Sequence, residues 1–366
     1  MVKKVLVALG VSLAAFAVVQ AQQKAPSAKG ALTALDYYEI QNLYGRYSHA
    51  LDSAADAGHM YSDVFTVDGV FTDENGKTFE GREKLAEYAR GTESMQKGPT
   101  NVAHFTQNIL IDPVPGGAIA RGYVMVASRD QATGRGAITS GGQYWDVLVK
   151  TNAGWRIKKR SFFRSGATPT ATLQATAASL LANVAPVTDY KGTGISVEDY
   201  QGIFQHYSRY GYAFDGGLRD GKEWADLFTE DGFHVNSTAG EFVKGPLALA
   251  EFARGAMRYD NKFVVLVPLQ GTSKDPSRVG HILTNFMMVP VAEGVLTKVY
   301  RMSGAIGANG QPNSISPGGI YFDLLVKTPA GWRFKEKWYI TQNTPVPEGA
   351  RRFISPTPTT QLALAQ

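Results

Sequence analysis

A sixteen-residue segment of this chain occurs twice. Gly141–Arg156, reading GGQYWDVLVKTNAGWR, returns as Gly318–Arg333, reading GGIYFDLLVKTPAGWR, with twelve positions identical. Two shorter echoes precede it. Asp63–Gly69 returns as Asp226–Gly232, and Leu85–Gly91 as Leu249–Gly255. The offset between copies grows from 163 to 164 to 177, so the second copy carries extra loop residues. Each copy is well over a hundred residues long, too long for a unit that buries its apolar face only by stacking on neighbours. The chain is therefore read as one domain duplicated, with boundaries at 35–165 and 195–342. Residues 166–194, rich in Ala, Thr and Pro, form a linker with a short helix at 172–183, and residues 343–366, with four prolines, are expected to be a flexible tail.

A length of 366 residues suits two domains. The net charge of +5 is spread along the chain without a basic cluster, which argues against a nucleic-acid partner. Lys3 and Lys4 precede an apolar run from Val5 to Val19, and Val19-Gln20-Ala21 fits a small-residue cleavage site. Residues 1–21 are read as a bacterial signal peptide, implying a periplasmic or secreted protein with no membrane attachment after cleavage. The alternative is a membrane anchor, for which the run is short of the roughly 20 residues a spanning helix needs. There is no cysteine, which rules out disulfides, thiol nucleophiles and Cys-ligated metal sites.

Within a copy, helices come first and strands after. Ile40, Leu43, Tyr44, Tyr47 and Leu51 recur at helical spacing, as do Ile203, Phe204 and Tyr207. A second short helix carries Met60, Val64 and Phe65 in one copy and Trp224, Leu227 and Phe228 in the other. Asp68-Gly69 and Asp231-Gly232 turn the chain into a strand, and a third helix ends at Gly91. Strands follow at 104–111, 118–128, 142–151 and 155–163, closing on an Ala153-Gly154 hairpin. The class is α+β: a curved antiparallel sheet wrapped around N-terminal helices as a cone that is open at one end.

The helix order, the Phe-Thr-x-Asp-Gly element, the His-initiated strand and the closing Tyr-x-Asp…Gly-Trp-Arg hairpin resemble the SnoaL-like branch of the NTF2-like superfamily. The resemblance covers nearly all of both copies. It implies two tandem cone-shaped barrels, each around a small-molecule pocket, and it allows dehydratases, isomerases, cyclases and plain binding modules. Many single-domain relatives pair sheet to sheet, which implies that the two copies form an intramolecular pseudo-dimer.

Of six histidines, only His104 and His281 coincide when the copies are overlaid. Asn108 and Asn285 also coincide, four residues on, and a regular strand would place them on the histidine's face. Near the end of the first helix Tyr47 aligns with Tyr207. Asp52 follows five residues after the first tyrosine, and Asp215 eight after the second. Asp52 and His104, and likewise Asp215 and His281, resemble the carboxylate and strand histidine of the scytalone dehydratases. The further histidine that those enzymes carry on the next strand has no counterpart in Gly122–Met125 or Val299–Met302. A histidine, with an ordinary pKa of about 6.5, can take a proton beside a carbonyl. A carboxylate can fix its tautomer, and Tyr47 or Asn108 could meet the developing oxyanion. The same pair can equally tether sheet to helix. Asp146 and Asp323 are expected to pair with Arg156 and Arg333 across the hairpin. The His59-x-x-x-Asp63 spacing has no equivalent in the second copy and is read as structural, so neither metal nor cofactor is assigned. The leading function is a cofactor-free acid–base enzyme, a lyase or isomerase, acting on a small hydrophobic oxygenated molecule. The alternatives are a binding protein without turnover, and catalysis by the first copy alone.

Overall fold

The computed structural model describes residues 32–92, 102–129, 136–165, 172–255 apart from 186, 188, 191, 217, 238 and 239, then 278–305, 314–341 and 344–356. The signal-peptide reading of residues 1–21 lies outside these. None of the described helices is long and apolar enough to cross a membrane.

The first domain runs α1 (Ala34–Ser53), α2 (His59–Ser62), β1 (Phe65–Thr72), β2 (Thr78–Glu80), α3 (Gly81–Gly91), β3 (Val102–Val114), β4 (Gly117–Arg129), β5 (Gly136–Thr151) and β6 (Gly154–Arg164). A linker helix, α4 (Leu173–Leu181), follows. The second domain repeats the order: α5 (Val197–Gly216), α6 (Lys222–Ala225), β7 (Phe228–Asn236), β8 (Glu241–Lys244), α7 (Pro246–Gly255), β9 (Arg278–Val291), β10 (Gly294–Ala305), β11 (Ser314–Thr328) and β12 (Gly331–Thr341). Each domain is one six-stranded sheet, ordered β2-β1-β6-β5-β4-β3 and β8-β7-β12-β11-β10-β9. The sheets are mixed and not wholly antiparallel, because β1 lies parallel to β6 and β7 parallel to β12. Helix and β2 segments carry the chain away from β1 before β3 begins at the far edge, so β6 returns beside β1 in the same direction.

The helix α1 starts on a capping box. Thr33 Oγ1 accepts from the Asp36 amide at 3.2 Å, and Asp36 Oδ2 accepts from the Thr33 amide at 2.9 Å. Its apolar face (Ile40, Leu43, Tyr44, Tyr47, Leu51) is buried in the first core as the spacing predicts. Its other face is buried too. Asn42, Ser48, His49 and Asp52 are all covered, because β9 of the second domain lies across it. A Cβ on Gly45 would come 2.0 Å from the Phe286 carbonyl oxygen, so only glycine admits that approach.

The outer face of the first sheet is covered by α4, through Leu173, Ala177 and Leu181 on Ile119, Val147 and Val149. Thr172 caps this helix. The outer face of the second sheet meets Ala103, Phe105 and Ala127 of the first domain. It also receives the tail. Residues 348–353 form a 3-10 helix whose Phe353 is fully buried against Phe322, so the described part of the tail is a docked element. The apolar contact of Phe353 outweighs the chain-breaking effect of the neighbouring prolines.

The pairing of domains does not exchange equivalent surfaces. Asn285 and Tyr300 are buried, whereas their counterparts Asn108 and Tyr123 are exposed. Gly45 is in contact with β9, whereas its counterpart Ser208 is exposed. The domains do pair, with sheet against sheet, but through unequal surfaces of the two copies.

Candidate functional site

Asp52 is the last but one residue of α1, where Ala54 turns into the left-handed region and ends the helix. Its side chain points at β3. His104 donates its backbone N–H to Asp52 Oδ2 at 2.9 Å, and its Nδ1 is hydrogen-bonded to Asp52 Oδ1. The side chain of Asp52 is 1 % exposed and that of His104 15 %. A carboxylate oxygen accepts and a ring N–H donates, so the proton of this bond sits on Nδ1 and the lone pair of a neutral ring sits on Nε2. Among the described residues no hydrogen-bond partner meets Nε2. The expected pairing of Asp52 with His104 is therefore present in the geometry.

A third donor reaches Asp52 from outside its domain. The hydroxyl of Tyr300, on β10, is hydrogen-bonded to Asp52 Oδ2. Burial, with Asp52 beside it, raises the Tyr300 hydroxyl well above a tyrosine's ordinary pKa. Asn285, on β9, also crosses. Its Oδ1 accepts from the Thr106 amide at 3.2 Å, and its Nδ2 donates to the His104 carbonyl at 3.1 Å and to Ser48 Oγ at 2.8 Å. His49 Nε2 meets the Asn285 carbonyl oxygen at 2.9 Å. Burial, with Lys298 adding to it, holds His49 well below a histidine's ordinary pKa, as a neutral framework ring.

The remaining candidates lie elsewhere. Asn108 and Asn285 have φ of 51° and 54°. Each sits in a β-bulge: Gln107 to Leu110 spans three residues against two on β4, and Thr284 to Met287 three against two on β10. The extra residue breaks the alternation that would have put the asparagine beside its histidine. Asn108 is thereby exposed. It lines a groove of about 590 Å³ with Phe105, Gln107, Tyr123, Met125 and Ile138, and neither His104 nor Asp52 lines that groove. Asn285 faces the first domain and not His281.

Tyr47 is buried with its hydroxyl on Tyr144 at 3.2 Å. Tyr207 is buried with its hydroxyl on Asp323 at 2.5 Å. The residue that matches Tyr207 is Tyr44, whose hydroxyl bonds the equivalent Asp146, and Tyr47 matches Tyr210, whose hydroxyl bonds Tyr321. The helices thus register at an offset of 163, which places Asp52 opposite Asp215 with no longer gap in the second copy. A slip of three residues rotates a helix about 60° short of a full turn, so the aromatic faces overlay almost equally well in either register. Neither Tyr47 nor Tyr207 belongs with the histidines.

His281 has a different setting. Arg301 Nη2 lies 2.7 Å from its Nε2, and a guanidinium only donates, so Nε2 is an acceptor there. The rings of Tyr210 and Phe214 flank it. Asp215 lies in the last turn of α5, and its side chain falls outside the described residues. Arg301 stands where the first copy has Val124.

Each cone encloses a buried ion pair. Asp146 pairs with Arg160 and not with Arg156: Arg160 Nε and Nη2 donate to its two oxygens at 2.7 and 2.6 Å. Asp323 pairs with Lys337 at 2.8 Å and not with Arg333. A bulge at Lys158, and its equivalent at Lys335, moves the register by one and brings these partners directly opposite. The rings of Tyr44, Tyr47 and Tyr144 surround Arg160 at 3.8 to 4.8 Å. Burial opposes the charge of Arg160, but Asp146 outweighs it and raises the pKa of the guanidinium. Among the described residues no three His, Asp or Glu side chains converge as a metal site requires.

Residues 32–161 and 196–337 each match the model of the SnoaL-like domain. No curated protein matches the chain. Among solved structures, an NTF2-like protein with a cystatin-like fold from Novosphingobium aromaticivorans is 25% identical, over 40% of this chain and 88% of its own, with a TM-score of 0.33. A Mycobacterium tuberculosis protein of unknown function is 28% identical over 40% and 86%, with a TM-score of 0.30. A Catenulispora acidiphila protein solved in complex with S-DNPA is 26% identical over 34% and 92%, also with a TM-score of 0.30.

Proposed function

The chain belongs to the SnoaL-like domain family in both of its halves, and from that premise we propose that it is an exported, cofactor-free acid–base enzyme whose chemistry resides in the first domain. The observation that carries this reading is the bond between His104 Nδ1 and the buried Asp52 carboxylate, which leaves Nε2 as the proton acceptor. The substrate class is a small hydrophobic molecule with a carbonyl beside an acidic C–H. Nε2 takes the proton from that carbon, the electron pair moves toward the carbonyl oxygen, and Asp52 stabilises the imidazolium. The imidazolium then returns its proton either to a leaving hydroxyl, giving elimination and water, or to another carbon, giving isomerisation. Tyr47 and Asn108 do not face the pair, so a different donor meets the enolate oxygen.

In the second domain the Arg301 contact occupies His281 Nε2. That contact favours a bracing or ligand-holding role there, without turnover. Export rests on the composition of residues 1–21, and a mature N-terminus at Gln22 in protein recovered from outside the cytoplasm would support it.

The test is a panel of phenolic, ketone and polyketide-like compounds, followed by product mass and thermal shift together. Turnover should fall by about 10²–10⁴-fold in His104→Gln and stay within about twofold in His281→Gln. Thermal stabilisation by a ligand without product, and unchanged in His104→Gln, would replace the enzyme reading with that of a binding protein.

A further inference from the structure

The acid–base pair of the first domain is touched by a side chain that its own domain does not supply. We propose that Tyr300 of the second domain is a positioning residue for His104 and Asp52, so that the site is complete only when both domains are in place. The inference rests on the reading of His104 and Asp52 as the reactive pair.

Asp52 has two oxygens and must turn one of them to His104 Nδ1. Its Oδ2 accepts from the His104 backbone and from the Tyr300 hydroxyl, which leaves Oδ1 for the ring. Without Tyr300 that oxygen loses a buried donor, and rotation about the carboxylate's terminal torsion is broad and soft. Tyr300 itself has no such freedom. It is 1 % exposed, its ring lies 4.2 Å from that of His49 and meets Phe105 edge-on at 5.4 Å. A hydroxyl that burial and Asp52 keep protonated remains a donor across the physiological range. The strand bearing His104 is gripped from the same side, since Asn285 binds both the His104 carbonyl and the Thr106 amide.

The equivalent tyrosine of the first domain, Tyr123, is 56 % exposed. A tyrosine at this place in the fold is therefore not enough by itself, and the unequal pairing of domains delivers only Tyr300 to a carboxylate. A tyrosine that merely fills the interface would act through its ring. One that positions Asp52 acts through its hydroxyl, and Tyr300→Phe separates the two.

The test is nitrogen NMR of the histidine rings in the full chain at neutral pH, with His104 assigned by its loss in His104→Gln. The wild type is expected to hold His104 as the Nδ1–H tautomer, with a strongly deshielded Nδ1 proton. In Tyr300→Phe that form should fall from about nine-tenths to about half of the neutral ring, and in Asp52→Asn the deshielded proton should vanish. Tyr123→Phe should match the wild type. A Tyr300→Phe spectrum with the wild-type tautomer would overturn the positioning role and leave the His104–Asp52 reading intact. A wild type that Asp52→Asn does not change would sink both. Should Tyr300→Phe not fold, the Tyr300 hydroxyl proton carries the test in the unaltered residue. It should be visible and slow to exchange in the wild type and lost in Asp52→Asn, and its absence from the wild type would overturn the proposal.

Discussion

Asp146 with Arg160 and Asp323 with Lys337 occupy the same place in the two domains, and all four side chains are fully buried. The first pair is bidentate. The second has one bond, and Asp323 Oδ1 has no hydrogen-bond partner among the described residues. Burial pulls Lys337 down to about 8, against the opposing pull of Asp323, whereas Arg160 keeps its charge firmly. Planar, forked donors suit a desolvated carboxylate better than a point ammonium does. Removing one partner strands the other as a bare buried charge. Arg160→Met is therefore expected to lower stability by about 3–5 kcal/mol. Arg160→Lys, which imitates the second domain, should lower it by only about 1–2 kcal/mol. Urea unfolding of the two variants checks the difference, and equal losses would mean that the fork geometry contributes little.

At the scale of elements, α1 and β9 meet through Gly45. A Cβ at 2.0 Å from a backbone oxygen cannot be absorbed by a rotamer change, so strand and helix must part. Gly45→Ala should cost about 1–3 kcal/mol in spite of alanine's better helix propensity. Ser208→Ala, at the exposed equivalent on α5, should stay within about 0.5 kcal/mol. Thermal melts of both variants test this. Much of the element plan was legible in the sequence. Repeated turn signals at Asp68-Gly69 and Ala153-Gly154, and apolar spacing along α1, are local features that survive into the fold. The bulges were not legible. A single residue in the left-handed region at Asn108 or Asn285 reverses which way a strand residue faces, and although asparagine tolerates that region better than most residues, its presence alone does not fix where a bulge falls. Arg160 was missed because Arg156 lies opposite Val149, not Asp146, and because the bulge at Lys158 then sets Arg160 opposite Asp146 where a regular hairpin would set Lys159. His104 and Asp52 were found because duplication marks the histidine and the helix end marks the aspartate. Tyr300 was out of reach, because its contact with Asp52 joins residues 248 apart and belongs to the docking of domains.

At the scale of the whole molecule, the interface carries a titratable group that sets its response to pH just above neutrality. Lys298 is buried beside His49 and Tyr300, and its Nζ donates to the Ile354 carbonyl of the docked tail at 2.8 Å. Burial pushes it down from 10.5 to about 7. Between those values the unfolded chain binds a proton that the folded chain has largely released, so stability from this group rises with pH from about 7 to 10.5 and is flat below 7. Scanning calorimetry between pH 7 and 9.5 should show one transition for the interlocked domains, with a midpoint that climbs with pH. Lys298→Met should remove the slope between pH 7 and 8 and leave the slope that Lys337, lowered to about 8, adds above pH 8; an unchanged slope below pH 8 would place the titrating group elsewhere.

The amide of Asn285 has one more consequence. As the outermost strand of its sheet, β3 presents backbone groups that another chain's strand could adopt. Asn285 occupies an adjacent carbonyl and N–H of that row with a single side chain, in the way a paired strand would, and Asn42 does the same to the amide and carbonyl of Met288 on β9. Each domain thus blunts the other's open edge. The duplication that joins them also removes, at two points, the template on which strand-by-strand aggregation would begin.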